Sequence, residues 1–421
     1  QSCIDGLLPH LADGQLLVGD RVRDHRRAAL DDQLDLGLVE PDAVGEQGAG
    51  SQHPGPVQVM RRPQPGLGDA VDHLLFGLGE VDLDRDVALL RDLRDPAQRR
   101  LGDGVDRVWR QRRAHRKAKR ITVELDPTDD PTHGSQQLAL FNGHYDTWCY
   151  LPVAGFIRFD EEPEQYLFTY VLRGGRAPAK LGAIGILKRV LARLRTSFPK
   201  AQLRVRLDGG FAGPEMFEFL EAEAVEYVLA MAGNAVLDRR AEPWMKRARA
   251  LSRHSGETAH VYAECRYAAG TWQRQRRVII KAEVVRLADR EARDNPRYVV
   301  TNLSAGPKHI YENIYCQRGE IENRIKELHY GLQIERTSCT DFWANQLRVL
   351  LTAAAYVLMQ ELRAAAAGTD CARAQVSSLR ERLLKLGAWV ERSVRRIVLH
   401  LPQHALWQSE WCRVARSLGA A

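Results

Sequence analysis

The order of strand-like and helical stretches after residue 116 constrains the fold more than any other feature of the sequence. Alternating or continuous apolar runs predict strands at residues 120–125, 137–141, 151–159, 165–172, 203–207 and 225–231. Apolar residues at helical spacing predict a long helix at 180–198, and a shorter helix is predicted at 214–222. Antiparallel strands followed by helix–strand alternation are typical of a mixed α/β sheet.

The pattern changes again after residue 232. A basic helical stretch at 239–251 is followed by strand-like runs at 260–268, 277–285 and 298–303. Three helices are then predicted, at 308–332, at 342–367 and near 375–399.

The charge of the chain is unevenly distributed. The 421 residues include 61 Lys and Arg against 54 Asp and Glu, a net charge of +7. Residues 1–100 contain 11 Arg, no Lys, 15 Asp and 3 Glu and are therefore acidic, so the excess of positive charge lies in the rest of the chain. Residues 1–115 show no sustained periodicity. They are interpreted either as a poorly ordered or loosely helical segment, or as sequence that is not in its native reading frame, because residues with AT-rich codons (Lys, Asn, Tyr) are missing from residues 1–100.

Two classes of protein are excluded by composition. No run of about 18 apolar residues is present, which argues against a membrane span. The seven cysteines are scattered and contain no CxxC pair, which argues against a disulfide framework or a structural zinc site and favours a reducing cytoplasm.

Three carboxylates stand at positions that a mixed sheet could bring together. Asp126 ends the first strand, Asp208 ends the strand after the long helix, and Glu322 lies on the helix predicted at 308–332. Three carboxylates without thiolate or imidazole suit the hard cations Mg²⁺ or Mn²⁺. Capping or turn formation is the usual role of an isolated aspartate, and the nearby aspartates compete for the same assignment: Asp129, Asp130 and Asp146.

A polar stripe runs along the same predicted helix, beside an apolar face. Its members recur at helical spacing: Tyr315, Arg318, Glu322, Lys326 and His329. By itself this stripe is more typical of a solvated helix flank, with Glu322 and Lys326 as an i,i+4 ion pair.

These residues carry a resemblance to a known family. The stretch YCQRGEIENRIKELH (315–329) resembles the Y-(2)-R-(3)-E signature of DDE transposases of bacterial insertion sequences, of the transposase DDE group 1 type. ELDPTDDPTHG (124–134), RLDGGF (206–211) and PRYVVTNL (296–303) are similar to the two aspartate blocks and to the strand before the glutamate helix. The resemblance covers about residues 116–365, in order.

The resemblance implies a ribonuclease H-like catalytic core, a mixed sheet with flanking helices, interrupted by a mainly β insertion and followed by C-terminal helices. It divides the chain into the atypical segment 1–115, the first part of the core (116–237), the insertion with its return strand (238–303), the core helices with the glutamate (304–370) and a C-terminal helical region (371–421).

The resemblance also implies roles for individual residues. Asp126, Asp208 and Glu322 become the catalytic triad and the ligands of Mg²⁺ or Mn²⁺. The DNA-binding residues on the glutamate helix are Tyr315, Arg318, Lys326 and His329. His329 departs from the family pattern, since the family often has Lys at that position. A neutral imidazole does not replace an ammonium group at a phosphate, although Lys326 compensates in part.

The resulting expectation is a DNA transposase that cleaves and joins phosphodiester bonds at insertion-sequence ends. Its partners would be terminal inverted repeats and target DNA, bound by a homodimer in the bacterial cytoplasm at the nucleoid, with no membrane. Basic clusters at 110–120, 239–253 and 274–281, the last beside Trp272, agree with a nucleic-acid partner. Two alternatives remain: a metal-dependent nuclease on the same fold, and a non-catalytic, DNA-binding remnant of a transposase.

Overall fold

A mixed sheet of nine strands organises the part of the chain that the computed structural model describes, residues 118–288, 290–392, 397–402 and 406–418. Both interpretations of residues 1–115 concern residues outside these ranges. The strands of this sheet are β1 (Arg120–Pro127), β5 (Val153–Phe159), β6 (Tyr166–Val171), β7 (Gln202–Leu207), β8 (Glu226–Met231), β9 (Ala259–Tyr267), β10 (Arg276–Val285), β11 (Arg293–Asp294) and β12 (Arg297–Thr301). Three shorter strands, β2 (Asp130–Pro131), β3 (Leu140–Asn142) and β4 (Thr147–Tyr150), form a small second sheet in the order β2-β4-β3.

The centre of the large sheet has the order β6-β5-β1-β7-β8. β1 pairs antiparallel with β5 and parallel with β7, and β7 pairs parallel with β8. Three antiparallel strands that precede two parallel ones in this order form a ribonuclease H-like sheet, so the predicted fold class is confirmed.

The helices cover both faces of this sheet. They are α1 (Ala183–Ser197), α2 (Pro214–Ala222), α3 (Ala235–Ser255), α4 (residues 307–331), α5 (Phe342–Ala365), α6 (residues 376–384) and α7 (Gln408–Ser417). α1, α2 and α3 pack on one face, in a core that includes Ile121, Val123 and Leu125 of β1. α4 and α5 pack on the opposite face. The alternation along β1 therefore turns Glu124 and Asp126 towards α4, because successive side chains of a strand point to opposite faces.

Residues 238–303 extend the sheet beyond β8. α3 begins after Asn234, whose side chain accepts hydrogen bonds from the amides of Val236 and Leu237, both at 3.1 Å. The helix ends at Gly256, which has φ of 75°. β12 pairs antiparallel with β8, and β10 pairs with β12, β9 and β11. This region thus joins the edge of the central sheet through backbone hydrogen bonds.

The apolar face predicted for α4 is confirmed. Ile314, Ile321, Ile325 and Leu328 are buried against the sheet and α5. The helix is not uniform: residues Ile310–Tyr315 and Glu327–Gly331 form wider π-helical turns, and Cys316–Arg318 form a 3₁₀ turn. Such irregular turns are frequent at functional sites.

The helix predicted near 375–399 is wrong beyond residue 384. α6 ends there, Gly387 follows, and Trp389–Arg392 (β13) pairs antiparallel with Ile397–His400 (β14). The aromatic and β-branched residues of these two strands favour extended backbone. Among the described residues, no helix is both long enough and apolar enough to cross a bilayer.

Candidate active site

Asp126 and Asp208 come together because two parallel strands are in register. In the ladder between β1 and β7, Glu124 is the partner of Arg206. Two residues beyond this pair on each strand, the same register sets Asp126 opposite Asp208, on the face covered by α4. Asp208 directly follows β7 and caps the 3₁₀ turn Gly209–Phe211, accepting a hydrogen bond of 2.9 Å from the amide of Gly210.

A buried ion pair lies beneath the two aspartates. The Arg206 Nε donates to Glu124 Oε1 at 2.5 Å, and the two side chains are only 2% and 1% exposed. Gln165 donates to the other oxygen of Glu124, and Arg206 Nη1 donates to the carbonyl oxygen of Ile314 in α4 at 2.5 Å. The pair therefore ties β1, β7 and α4 together. Sequence reasoning missed it, although charged residues of opposite sign inside two buried strands were a usable signal.

Arg318 bridges the two aspartates. Its Nη2 lies 2.5 Å from Asp126 Oδ1 and 3.4 Å from Asp208 Oδ2. Burial opposes ionisation of this guanidinium, but the charges of Asp126 and Asp208 outweigh it and raise its pKa. A positive group thus stands between the two carboxylates.

The carboxyl group of Asp126 is strongly perturbed. Burial, with smaller contributions from the charges of Asp208 and Glu322, raises its pKa to about 7, while Arg318 acts in the opposite direction. Glu322 itself is exposed on α4, four residues after Arg318, and its charge reaches Asp126. All three predicted carboxylates therefore share one region at the end of β1.

The predicted ligands meet the requirements for a divalent cation in part. No group of three or more His, Cys, Asp or Glu side chains is arranged to enclose a metal ion within the described ranges. Mg²⁺, however, is usually held by one or two carboxylates together with water and substrate phosphates. Asp126 and Asp208 are a pair of carboxylates of this kind, and the Arg318 guanidinium lies between them.

The other predicted residues follow along α4. Tyr315 is half-buried one turn before Arg318, its ring centroid is 5.5 Å from that of Tyr311, and burial raises its pKa. Lys326 is exposed.

His329 is half-buried at the end of α4, facing the loop that follows β1. Its Nε2 lies 3.3 Å from Thr128 Oγ1, and its Nδ1 lies 3.5 Å from Glu335 Oε2. Burial lowers its pKa, although the charge of Glu335 opposes this. The imidazole is therefore uncharged at neutral pH.

The competing aspartates have other environments. Asp130 is fully buried in β2, accepts a hydrogen bond of 3.1 Å from Thr337 Oγ1, and has its pKa raised to about 8 by burial. Asp146 is exposed in a turn, with φ of 53°. Asp129 is half-buried in the loop before β2.

The basic cluster at 274–281 is largely paired. Arg276 contacts Glu221 at 2.8 Å and lies 5.2 Å from the ring centroid of Trp272. Trp272 packs on Phe217 and Tyr267 at centroid distances of 5.0 and 5.5 Å. This tryptophan is a packing residue of the hydrophobic core.

The fold is a ribonuclease H-like sheet, with two facing aspartates at the ends of neighbouring parallel strands. Comparison with known proteins gives the family. Residues 90–421 match the family described as transposase DDE domain group 1, and the chain belongs to this family. The match begins upstream of residue 116, where the resemblance in the sequence began.

Seven chains of solved structures match as well. One is a cryo-EM structure of piggyBac transposase in a synaptic complex with hairpin DNA, with 10% sequence identity and a TM-score of 0.36. The match covers 62% of this chain and 51% of that chain, so this chain corresponds to about half the length of that transposase. No curated protein matches.

Proposed function

We propose that this transposase cleaves and joins DNA phosphodiester bonds at the ends of an insertion sequence. Asp126, Asp208 and Glu322 are the proposed catalytic residues and the ligands of Mg²⁺ or Mn²⁺. The observation that carries the proposal is the register of β1 and β7, because it aligns Asp126 with Asp208 on the face where α4 carries Glu322.

Bound divalent cations would supply Lewis-acid chemistry at the scissile phosphate, stabilising charge on the attacking and leaving oxygens. The residues of the chain provide the frame for this chemistry. The Glu124–Arg206 pair fixes the two aspartates against α4. Arg318, which contacts both carboxylates, lies within reach of a phosphate bound there, and guanidinium groups bind phosphate in bidentate fashion.

The DNA partner is supported by family membership and by the basic character of the chain after residue 100. Terminal inverted repeats and target DNA are the proposed substrates. Two element ends must be joined, so a homodimer on DNA is proposed, at the nucleoid of a bacterial cytoplasm. Tyr315, Lys326 and His329 continue the proposed DNA surface along α4.

Cleavage of labelled DNA that carries the element ends tests the proposal. Asp208→Ala should abolish Mn²⁺-dependent nicking and leave DNA binding nearly intact, since the aspartate acts on the reaction rather than on the phosphate backbone. Glu257→Ala, at an exposed acidic residue after α3, is the matched control and should cleave normally. Undiminished nicking by Asp208→Ala would refute the assignment.

Two alternatives are separated by further assays. A nuclease on the same fold would cut but would not join a pre-cleaved 3′-hydroxyl end to target DNA. A non-catalytic remnant is favoured by one observation, the uncharged His329 at the position where the family often has Lys. Such a remnant would bind DNA and cut nothing in Mn²⁺.

A further inference from the structure

Three aromatic side chains are exposed on the β3–β4 hairpin. We call Phe141, Tyr145 and Trp148 the aromatic rim; they are 38%, 37% and 57% exposed. Phe141 and Trp148 are direct cross-strand partners, and their ring centroids are 6.2 Å apart at an interplanar angle of 65°. Large aromatic groups are costly to leave in water, so a cluster of them at the surface marks a binding site.

The aromatic rim lies beside the catalytic aspartates. β4 leads directly into β5, in which Ala154 is the ladder partner of Asp126. β4 is also bonded to the segment that follows β1: the amide of Thr132, in the loop after β2, donates to the carbonyl oxygen of Trp148 at 2.8 Å. Burial raises the pKa of Tyr145 to about 12, and the charges of Asp126 and Asp208 contribute to this rise. The charge of Asp129 contributes more than either of them, and Tyr145 therefore lies within electrostatic reach of all three carboxylates.

The hairpin is held in a fixed position. Asn142 accepts a hydrogen bond of 2.9 Å from the amide of His144 and donates one of 2.9 Å to the carbonyl oxygen of Gly175. A Cβ atom at Gly175 would lie only 2.1 Å from the carbonyl oxygen of Cys149, so only glycine permits this approach.

Arg176 adds a positive charge to the same hairpin. It is exposed, and its Nε donates to the carbonyl oxygen of Phe141 at 3.2 Å. A rigid aromatic surface next to a guanidinium group complements a nucleotide, which combines a flat base with a negative phosphate.

We propose that the aromatic rim stacks on unpaired bases of the DNA strand that adjoins the scissile phosphate. This inference rests on the proposed function, because it requires DNA at Asp126 and Asp208. Stacking accepts every base, so the rim would capture an opened DNA end without reading its sequence. Trp148, the most exposed of the three, contributes most.

The test compares two DNAs of identical sequence in metal-free buffer, one fully paired and one with a three-nucleotide unpaired end. Fluorescence anisotropy gives the affinity for each. The wild-type chain should bind the DNA with the unpaired end more tightly than the paired DNA. Trp148→Ala should reduce this ratio of affinities about tenfold without weakening binding to the paired DNA. Trp148→Phe should retain most of it. Trp389→Ala, at a tryptophan that is 72% exposed on β13, is the matched control and should leave the preference unchanged.

A fluorescent base analogue, 2-aminopurine, at the unpaired position gives a second readout: its quenching by the protein should depend on Trp148. The inference is overturned if Trp148→Ala keeps the preference, if Trp389→Ala loses as much, or if Trp148→Ala changes only the oligomeric state. Its failure is distinct from failure of the proposed function, which is decided by cleavage with Asp208→Ala. A chain that binds neither DNA would overturn both.

Discussion

Replacing Arg206 by Met should destabilise the protein more than any replacement of a surface arginine. The substitution keeps an unbranched apolar side chain but removes the guanidinium that pairs with Glu124, whose side chain is 1% exposed. Among the described residues, Glu124 would then keep the side-chain amide of Gln165 as its hydrogen-bond donor, in a buried site. Removing one member of a buried ion pair costs about 3–5 kcal/mol, because the remaining charge stays buried without compensation.

Arg204→Met is the matched control on the same strand. Arg204 pairs with Glu226 at 2.6 Å, but the Glu226 side chain is 21% exposed and can be hydrated when the arginine is removed. We therefore expect a loss of about 1 kcal/mol. The double variant Glu124→Leu/Arg206→Met, which removes both charges, should recover most of the stability lost by Arg206→Met.

Urea unfolding followed by circular dichroism measures these differences. Equal losses for Arg206→Met and Arg204→Met, or no recovery in the double variant, would refute the reasoning. DNA cleavage by the double variant gives a further check. Because the bond from Arg206 to the Ile314 carbonyl oxygen is absent, α4 should lose its fixed position and cleavage should remain reduced even at restored stability. Normal cleavage would show that the pair serves stability alone.

Three other predictions concern protonation near the site. His329→Lys should strengthen DNA binding at pH 7.5 and make the slope of log affinity against log salt more negative by about one, since an imidazole with a lowered pKa is replaced by a cation. His329→Gln should change neither quantity. Burial raises the pKa of Asp130 from 3.8 to about 8, so the folded protein holds this proton more tightly than the unfolded chain and stability should fall as pH rises from about 4 to 8. Asp130→Asn should reduce this pH-dependent loss in the free energy of unfolding by about 4–6 kcal/mol. Urea unfolding at pH 4 and pH 8 measures the loss, and an unchanged pH profile in the variant would contradict the prediction. Because the pKa of Asp126 is raised to about 7, Mg²⁺ should raise the melting temperature more at pH 8 than at pH 6, and Asp126→Asn should abolish the difference in a thermal melt.

The sequence by itself determined the local elements and the chemical types at the site. Apolar periodicity is a local property of the chain, so the buried face of α4 and the strands that end at Asp126 and Asp208 could be predicted from it. The Y-(2)-R-(3)-E spacing pointed to the family because its members lie within one helix, where sequence distance fixes spatial distance.

Tertiary structure alone decided which charges meet. Arg318, Arg206 and His329 all have partners on other strands and loops. Asp126 and Asp208 are more than a hundred residues from Arg318, and Thr128 is equally distant from His329. No local pattern in the sequence encodes such contacts. Strand register also decided that residues 259–301 extend the large sheet and that the exposed side chains of Phe141 and Trp148 are cross-strand neighbours. Burial sets whether Asp126, Asp130 and His329 are charged, and burial is a property of the packed fold rather than of the residue.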